Sequence, residues 1–169
     1  MFLYVRIVFF CILAKKPLIM KLTVSKLNKF LLFKLPSAFF CGVRVKEIDV
    51  NKCVVSVKHR WINQNPFNSM YFAVQAMAAE LSTGALVMFQ IAKSGRKISM
   101  LVANNKGNFT KKATGRITFT CNDGHLIEKA ILETIATGEG QTFWMKSIGT
   151  NETGIQVSEM DFEWSVRVK

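Results

Sequence analysis

Proline and glycine are scarce in this sequence, which holds three prolines and ten glycines among 169 residues. So few breakers of regular structure leave room for long helices and strands. The hydrophobic content of 50%, with 14 phenylalanines, excludes a disordered chain. A chain of this length can bury a sizeable core of its own, so we expect one domain.

Motifs for metals, nucleotides and serine nucleophiles are also missing. The cysteines form no CxxC pair and have no metal-ligand spacing with His59 or His125, so neither a zinc site nor a disulfide framework is predicted. We expect buried free thiols in a reducing cytoplasm, and no metal or other cofactor. No nucleophile elbow surrounds Ser69 or Ser82, no glycine-rich phosphate loop exists, and both histidines are interpreted as surface residues. The four cysteines are Cys11, Cys41, Cys53 and Cys121.

Acidic residues are absent from the first 46 positions, which carry nine lysines or arginines. The net charge of +12 is therefore uneven, because the rest of the chain has 14 basic and 11 acidic residues. No zinc-finger, helix-turn-helix or aromatic RNA-binding pattern accompanies the charge, so we expect no specific nucleic-acid partner. Contact between the basic N-terminus and membrane phosphates is the minor alternative.

The N-terminal segment contains an apolar run, residues 7–14, that is too short to span a bilayer. Two lysines follow it where a signal peptide needs a small-residue cleavage site, which argues against secretion. We expect Met20 to be the true start, residues 1–19 to be an upstream extension or a weak interfacial anchor, and residues 20–169 to be the domain. An amphipathic helix is predicted over residues 22–35, where apolar side chains recur at helical spacing.

Alternation with a period of two marks the strands. A hairpin is predicted around the turn-like segment EIDVNKC, and four later segments alternate in the same way. We therefore expect about six strands in one antiparallel sheet and an α+β fold. The segment HLIEKAILETIATG, with Gly138 as its stop, is either a short helix or a continuing strand. The four later strand segments are KISMLVAN, GRITFTCND, QTFWMKSI and MDFEWSVRVK.

The most apolar stretch lies between Arg60 and Lys93, where Glu80 is the only charged residue. It is long enough to cross a membrane, but two glutamines and the carboxylate argue against a span. We predict a buried helix over about residues 68–91, wrapped by the sheet. An ionised carboxylate on its stripe of small residues is costly unless it is paired, hydrated or protonated. Glu80 therefore either pairs with a lysine of a neighbouring element or subunit, or works in a cleft as a general base or a nucleophile.

The loop before this helix offers two helix starts. With Asn65 as the cap, Pro66 takes the first helical position and Asn65 is a structural residue. With Asn68 or Ser69 as the start, the side-chain amide of Asn65 is free to reach a ligand, and first-turn amides can face a developing oxyanion. The residues at this predicted oxyanion site are Asn68, Ser69, Met70, Tyr71 and Phe72.

The phrase NPFNSMYFAVQAMAAELSTG resembles a stretch of the hot-dog fold superfamily of acyl-CoA thioesterases. The similarity is to its poorly characterised branch, a domain of unknown function, whose members carry N..(G/N)(S/T)M(Y/F)F...AAEL.TG. In the phenylacetyl-CoA and 4-hydroxybenzoyl-CoA thioesterase types, a loop Asn or Gln precedes a helical Asp or Glu by fifteen positions, the interval from Asn65 to Glu80. The segments NFTKKATGRITF and FEWSVRVK resemble later strands of the superfamily, so the resemblance covers residues 22–169.

The resemblance implies hydrolysis of an acyl-CoA or acyl-carrier thioester at the subunit interface of a homodimer or dimer of dimers, with sheets joined edge to edge. It implies that Glu80 activates water or attacks the thioester and that Asn65 positions the carbonyl or the nucleophile. Active thioesterases of the superfamily carry His-Gly-Gly where this chain has MYF, so Tyr71 and Phe72 would crowd the site. A non-catalytic acyl-binding or scaffold dimer is therefore the alternative. The lysines assigned to the CoA phosphates, or else to a solvated turn, are Lys106, Lys111 and Lys112.

Overall fold

The structure of the protein is a computed structural model that describes residues 22–169. The expectations for residues 1–19 lie outside the described residues. The helices are α1 (Val24–Lys34), α2 (Pro36–Phe40), α3 (Phe72–Ser94) and α4 (Gly124–Thr137), with a short 3-10 turn at Trp61–Asn63. The strands are β1 (Arg44–Ile48), β2 (Cys53–Lys58), β3 (Ile98–Phe109), β4 (Arg116–Cys121), β5 (Gln141–Thr150) and β6 (Gln156–Val168).

The six strands form one sheet in the order β1-β2-β4-β5-β6-β3, and every pairing is antiparallel. The predicted α+β architecture, with six strands around one long helix, is confirmed. The hairpin of β1 and β2 stands at one edge of the sheet, and β3 stands at the other. The outer side of β3 therefore carries backbone groups that no strand among residues 22–169 pairs.

Strand β6 shows why the alternation predicts the sheet correctly. Phe162, Trp164 and Val166 are buried against the helix layer, whereas the intervening residues lie on the opposite face. On that outer face Asp161 and Glu159 pair with Lys146 of β5. The sheet thus has one apolar concave face and one charged outer face, which orients every side chain discussed below.

Helix α3 fills the concave face of the sheet. By length and composition it could cross a membrane, but 61% of its most apolar window is buried inside the fold, as expected for a core helix. The helix begins at Phe72 and ends at Ser94, and the following Gly95 adopts the left-handed conformation with φ 66°. The prediction of residues 68–91 therefore placed both ends several residues too early.

Two polar contacts attach α3 to the sheet. The hydroxyls of Ser82 and Ser147 in β5 are hydrogen-bonded at 2.8 Å, and both residues are fully buried. At the next residue of the helix, the indole nitrogen of Trp164 donates to the Thr83 hydroxyl at 3.0 Å. These bonds fix the rotation of the helix about its axis, and with it the direction in which Glu80 points.

The remaining helices close the ends of the core. In α1, Leu27 and Leu31 are buried, and the Asn28 side chain both donates to and accepts from the backbone of Val45 at 3.0 Å. The predicted helix over residues 22–35 is thus followed by a separate short helix, α2. The ambiguous segment after β4 is helical, and α4 ends at Thr137, before Gly138 with its left-handed φ of 76°.

Candidate active site

Glu80 lies near the middle of α3 and opens into an apolar cavity of about 420 Å³, here called the Glu80 cavity. Burial raises the pKa of the Glu80 carboxyl above its usual range. No cation among residues 22–169 forms a salt bridge with it, so the lysine pairing considered from sequence is not made within the described part of one protomer. The cavity is lined by Phe30, Leu35, Glu80, Leu81, Gly84, Ala85, Met88, Met100, Leu101, Val102 and Trp164.

Gly84 makes the room in which the carboxylate sits. A Cβ atom at this position would lie 3.2 Å from Glu80 Oε1 and 3.0 Å from two ring atoms of Trp164. The Trp164 ring cannot yield easily, because it is buried and its indole nitrogen is bonded to Thr83. The small side chains of the predicted stripe therefore leave room for an aromatic ring and a carboxylate beside the same turn of the helix.

A second and larger cavity, of about 620 Å³, lies at the start of α3 and is here called the loop cavity. It lies beside the chain that leads out of β3. The lining combines aromatic rings with two lysines and an asparagine, so it is suited to a ligand with both apolar and anionic parts. The lining residues are Asn65, Pro66, Phe67, Ser69, Met70, Tyr71, Phe72, Gln75, Phe109, Thr110, Lys111 and Lys112.

Asn65 organises its own loop. Its side-chain oxygen accepts hydrogen bonds from the amides of Phe67 and Ser69 at 3.0 and 3.2 Å, and its nitrogen donates to the Ser69 hydroxyl at 3.3 Å. Neither predicted arrangement is correct, because Asn65 is not the helix cap and its amide is not free. One N–H of the side chain remains unbonded within residues 22–169, and it is the only donor that Asn65 retains for a ligand.

The N-terminus of α3 differs from both predicted helix starts, since Tyr71 is the cap. Four of the predicted oxyanion amides are already bonded: that of Asn68 to the Asn65 carbonyl, that of Ser69 to the Asn65 side-chain oxygen, that of Met70 to the Ala113 carbonyl, and that of Tyr71 to the Asn63 carbonyl.

Only the amide of Phe72 from the predicted set is left without a partner in the described chain, and that of Ala73 joins it as a first-turn donor. Asn68 instead lies in the turn before the helix, where its backbone is left-handed with a φ of 55°. The ring of Phe72 stacks edge-on with Tyr71 and Phe109 at centroid distances of 4.9 and 6.3 Å, so aromatic side chains border the free amides.

Gln75 is a candidate that sequence reasoning missed. It is 4% exposed and lines the loop cavity, yet its side-chain oxygen has no hydrogen-bond partner in the described structure. Its nitrogen donates weakly to the Met70 carbonyl at 3.4 Å. A buried amide oxygen left without a partner costs roughly 1 to 3 kcal/mol, which a bound ligand or water would recover. The available signal was a glutamine five residues before Glu80 on an otherwise apolar helix.

The three predicted phosphate lysines separate into two groups. Lys111 and Lys112 line the loop cavity, and the ammonium group of Lys112 donates to the Phe67 carbonyl at 3.1 Å. Lys106 instead faces Asp161 at 3.8 Å and lies 4.9 Å from the Trp144 ring centroid. Lys106 is thus on the outer face of the sheet and does not join the other two.

Within one protomer Asn65 and Glu80 do not face a common cavity, although their spacing suggested that they would. The two cavities meet opposite ends of β3, with Met100 to Val102 in one and Phe109 in the other. Among residues 22–169 no three metal-binding side chains cluster. His125 is exposed at the start of α4, whereas His59 is half-buried and the prediction of a surface residue holds for it only in part.

Several proteins of known structure have a similar fold. The protein PA5026 of Pseudomonas aeruginosa, a protein of unknown function and probable thioesterase, has a TM-score of 0.76 at 21% identity, over 89% of this chain and 99% of its own. OLEI01261 of Chlorobaculum tepidum TLS, also of unknown function, has a TM-score of 0.76 at 13% identity, over 88% and 99%. The thioesterase HI1161 of Haemophilus influenzae has a TM-score of 0.67 at 12% identity, over 87% and 92%.

At these identities the likeness establishes the fold. No curated protein matches the chain in sequence. The model of a family described as Domain of unknown function (DUF4442) matches residues 25–166. Since that match spans most of the sequence, and the resemblance noted in its central phrase agrees with it, the chain belongs to the DUF4442 family and adopts the hot-dog fold.

Proposed function

We propose that the protein hydrolyses an acyl thioester, carried by CoA or by an acyl-carrier protein, with Glu80 as the catalytic residue. The observation that carries the proposal is a partly buried carboxylate that opens into an apolar cavity and forms no salt bridge with any cation among residues 22–169. A structural carboxylate in such a place would be expected to have a partner. The raised pKa gives Glu80 a higher proton affinity than an exposed glutamate has, which favours a role as a base.

The reaction can follow two routes. As a general base, Glu80 takes a proton from water, the hydroxide attacks the thioester carbonyl, and the C–S bond breaks to release the thiol and the carboxylic acid. As a nucleophile, Glu80 attacks the carbonyl itself, and water then hydrolyses the resulting anhydride. Either route places negative charge on the carbonyl oxygen, for which the amides of Phe72 and Ala73 at the positive end of α3 are the proposed donors.

A homodimer would bring these groups together. The outer edge of β3 is open along 12 residues, and Leu101 on it is 66% exposed. If two copies pair antiparallel about the centre of β3, Ile98 lies opposite the partner's Phe109. The Glu80 cavity of one protomer then adjoins the loop cavity of the other, which supports an active site shared between subunits.

In this arrangement the remaining N–H of Asn65 orients the thioester carbonyl, and Gln75 accepts a hydrogen bond from the substrate. Lys111 and Lys112 are the proposed ligands of the CoA phosphates, because they line the loop cavity and no carboxylate pairs with them in the described chain. Lys106 is left out of the proposal, since Asp161 and Trp144 already hold it.

A specific observation favours a second candidate, an acyl-binding protein without catalysis. Tyr71 and Phe72 are 46% and 55% exposed and stand beside the free amides, where active members of the superfamily have small residues. Rings in this position would limit the approach of a carbonyl oxygen to the amides while still binding an acyl chain. The two candidates share a ligand and differ in turnover.

The test is thiol release from a panel of short, medium, long and aromatic acyl-CoAs. Glu80→Gln is compared with Glu133→Gln, which removes an exposed carboxylate of α4 as a matched control. We expect turnover to fall by at least about a hundredfold in Glu80→Gln and to be unchanged in the control. Equal turnover in both variants would refute the role of Glu80. Binding of acyl-CoA without turnover in the unmodified protein would establish the second candidate.

A further inference from the structure

A third cavity, here called the basic cavity, lies at the edge of the sheet far from β3. Its volume is about 240 Å³, and it is formed by β1, β2, β4 and the end of α2. Arg44 and Ser56 are register partners, as are Lys58 and Arg116, and all four alternate with buried valines and isoleucine. They therefore lie on the outer face of the sheet. The lining residues are Phe39, Phe40, Gly42, Arg44, Lys46, Ser56, Lys58, Arg60 and Arg116.

Five of these nine residues are cations, and no carboxylate lines the cavity. None of the five forms a salt bridge with any residue of 22–169. Glu152, whose carboxylate lies beside Gly115, makes no salt bridge with Arg116. Burial and the positive charge of Arg60 together lower the pKa of Arg44 below its usual range. The cluster is thus an uncompensated positive site, whose mutual repulsion an anion would relieve.

The guanidinium of Arg44 is fixed by contacts within the protein and still has free donors for a ligand. Its Nη1 donates to the carbonyls of Phe39 and Val43 at 2.8 and 2.7 Å, and its guanidinium carbon lies 3.6 Å from the Phe39 ring centroid. Both bonds use Nη1, so Nη2 and Nε keep their donors without a partner in the described chain. A fixed guanidinium with free donors binds an oxyanion without first losing side-chain freedom.

Ser56 provides the independent observation. It is 2% exposed, the only buried residue in the lining, and its hydroxyl has no hydrogen-bond partner among residues 22–169. Buried polar groups are nearly always satisfied, so an orphaned hydroxyl at the buried end of a cationic cavity indicates a missing polar partner. A solvated basic surface would need neither the burial nor the orphaned group.

We propose that the basic cavity binds a phosphate group. Its volume is below the roughly 300 Å³ at which pockets for whole drug-sized ligands begin, so it suits an anionic head group with its attached moiety outside. Arginines and lysines around one hydroxyl match the several acceptor oxygens and double negative charge of a phosphomonoester. Phe40, which is 65% exposed at the rim, offers an apolar surface to whatever carries the phosphate. The site is separate from the Glu80 cavity and does not depend on thioester hydrolysis.

The experiment is calorimetric titration of the full chain at low ionic strength with inorganic pyrophosphate and with adenosine 3′,5′-bisphosphate. Lys58→Gln/Arg116→Gln is compared with Arg96→Gln/Lys97→Gln, which removes the same charges from the exposed turn before β3. We expect the first double variant to weaken binding by at least about tenfold and the second by less than about twofold. Equal weakening in both double variants would overturn the proposal.

Ser56→Ala separates a formed site from general attraction between charges. We expect it to weaken binding by about fivefold while the thermal midpoint stays unchanged or rises, because it removes a buried hydroxyl that has no partner in the free protein. Unchanged affinity would overturn the proposal, since the cations would then attract anions only through long-range electrostatics and not through a formed site.

Sedimentation with vesicles identifies what carries the phosphate. The vesicles are phosphatidylcholine with and without phosphatidic acid, and each is tested with both double variants. Loss of binding to phosphatidic acid in Lys58→Gln/Arg116→Gln alone assigns a lipid head group, whereas binding to the soluble phosphates without vesicle binding assigns a small phosphate ligand. Either pattern supports the phosphate site, and failure of vesicles and soluble phosphates alike refutes it.

Discussion

Replacing Gly84 with alanine tests how tightly the Glu80 cavity is built. Two effects oppose each other. Alanine is more favourable than glycine in a helix interior by about 1 kcal/mol. Against this, the new Cβ would lie 3.0 Å from two atoms of the Trp164 ring and 3.2 Å from Glu80 Oε1.

The carboxylate can move into its cavity, but the ring is 3% exposed and its nitrogen is bonded to Thr83. Overpacking of this kind costs about 1 to 3 kcal/mol, so the steric term outweighs the helical gain. We expect a net loss of about 1 kcal/mol, which corresponds to a midpoint lower by roughly 2 to 4 °C for a domain of this size.

The assay is urea unfolding followed by circular dichroism at fixed protein concentration, with Trp164→Phe as the second arm of a double-mutant cycle. The smaller ring removes the atoms that clash, so Gly84→Ala should become stabilising by about 1 kcal/mol in that background. If Gly84→Ala stabilises the unmodified protein by the full helical gain, or shifts both backgrounds equally, then contact with Trp164 does not limit this position.

Three further predictions address Glu80, the β3 edge and the thiols. Because burial raises the Glu80 pKa, the folded state binds a proton more tightly than the unfolded state, and stability falls as pH rises from the ordinary value of 4.5 through the raised pKa. Glu80→Gln should therefore gain stability relative to the unmodified protein as the pH rises above 4.5 in urea titrations, and parallel curves would contradict the shift. Leu101→Lys should convert a dimer into a folded monomer in light scattering, whereas a monomeric unmodified protein would refute pairing through β3. Burial raises the pKa of Cys53 and Cys121 to about 12, so both should resist a thiol reagent at pH 8 until unfolding, and rapid labelling of either would disprove this.

Much of the fold could be predicted from the sequence, because the alternation of apolar and polar residues along a strand depends only on which face of the strand packs against the core. In β6 the buried face carries Phe162, Trp164 and Val166. The start of α3 could not be predicted in the same way, because Asn65 and Asn68 favour both caps and turns. In this loop they form the turn, Asn65 by accepting two backbone bonds and Asn68 by its left-handed backbone, so the helix begins later.

Some residues of the candidate site could be proposed from the sequence, but their arrangement could not. The isolated Glu80 on a stripe of small residues suggested a carboxylate in a cleft, because an acid in an apolar helix is costly wherever it lies, and Glu80 does open into an apolar cavity. The interval between Asn65 and Glu80 says how far apart they are along the chain, while the folded-back loop decides which cavity each one faces. Gln75 escaped notice because glutamine in a helix is ordinary, and only its burial without a partner makes it unusual.

The hydroxyl contacts between α3 and the sheet have a consequence for conformational uniqueness. A helix that is apolar on nearly every side gains similar burial in several rotational settings, so hydrophobic packing alone leaves its orientation weakly determined. The pairs Ser82 with Ser147 and Thr83 with Trp164 are satisfied in only one of those settings. Any rotated state would bury these groups without partners, at a cost of roughly 1 to 3 kcal/mol for each. The polar pairs thus contribute less to overall stability than to selecting one rotational setting of the helix. They disfavour alternative packings of the core in which the carboxylate would face a different side.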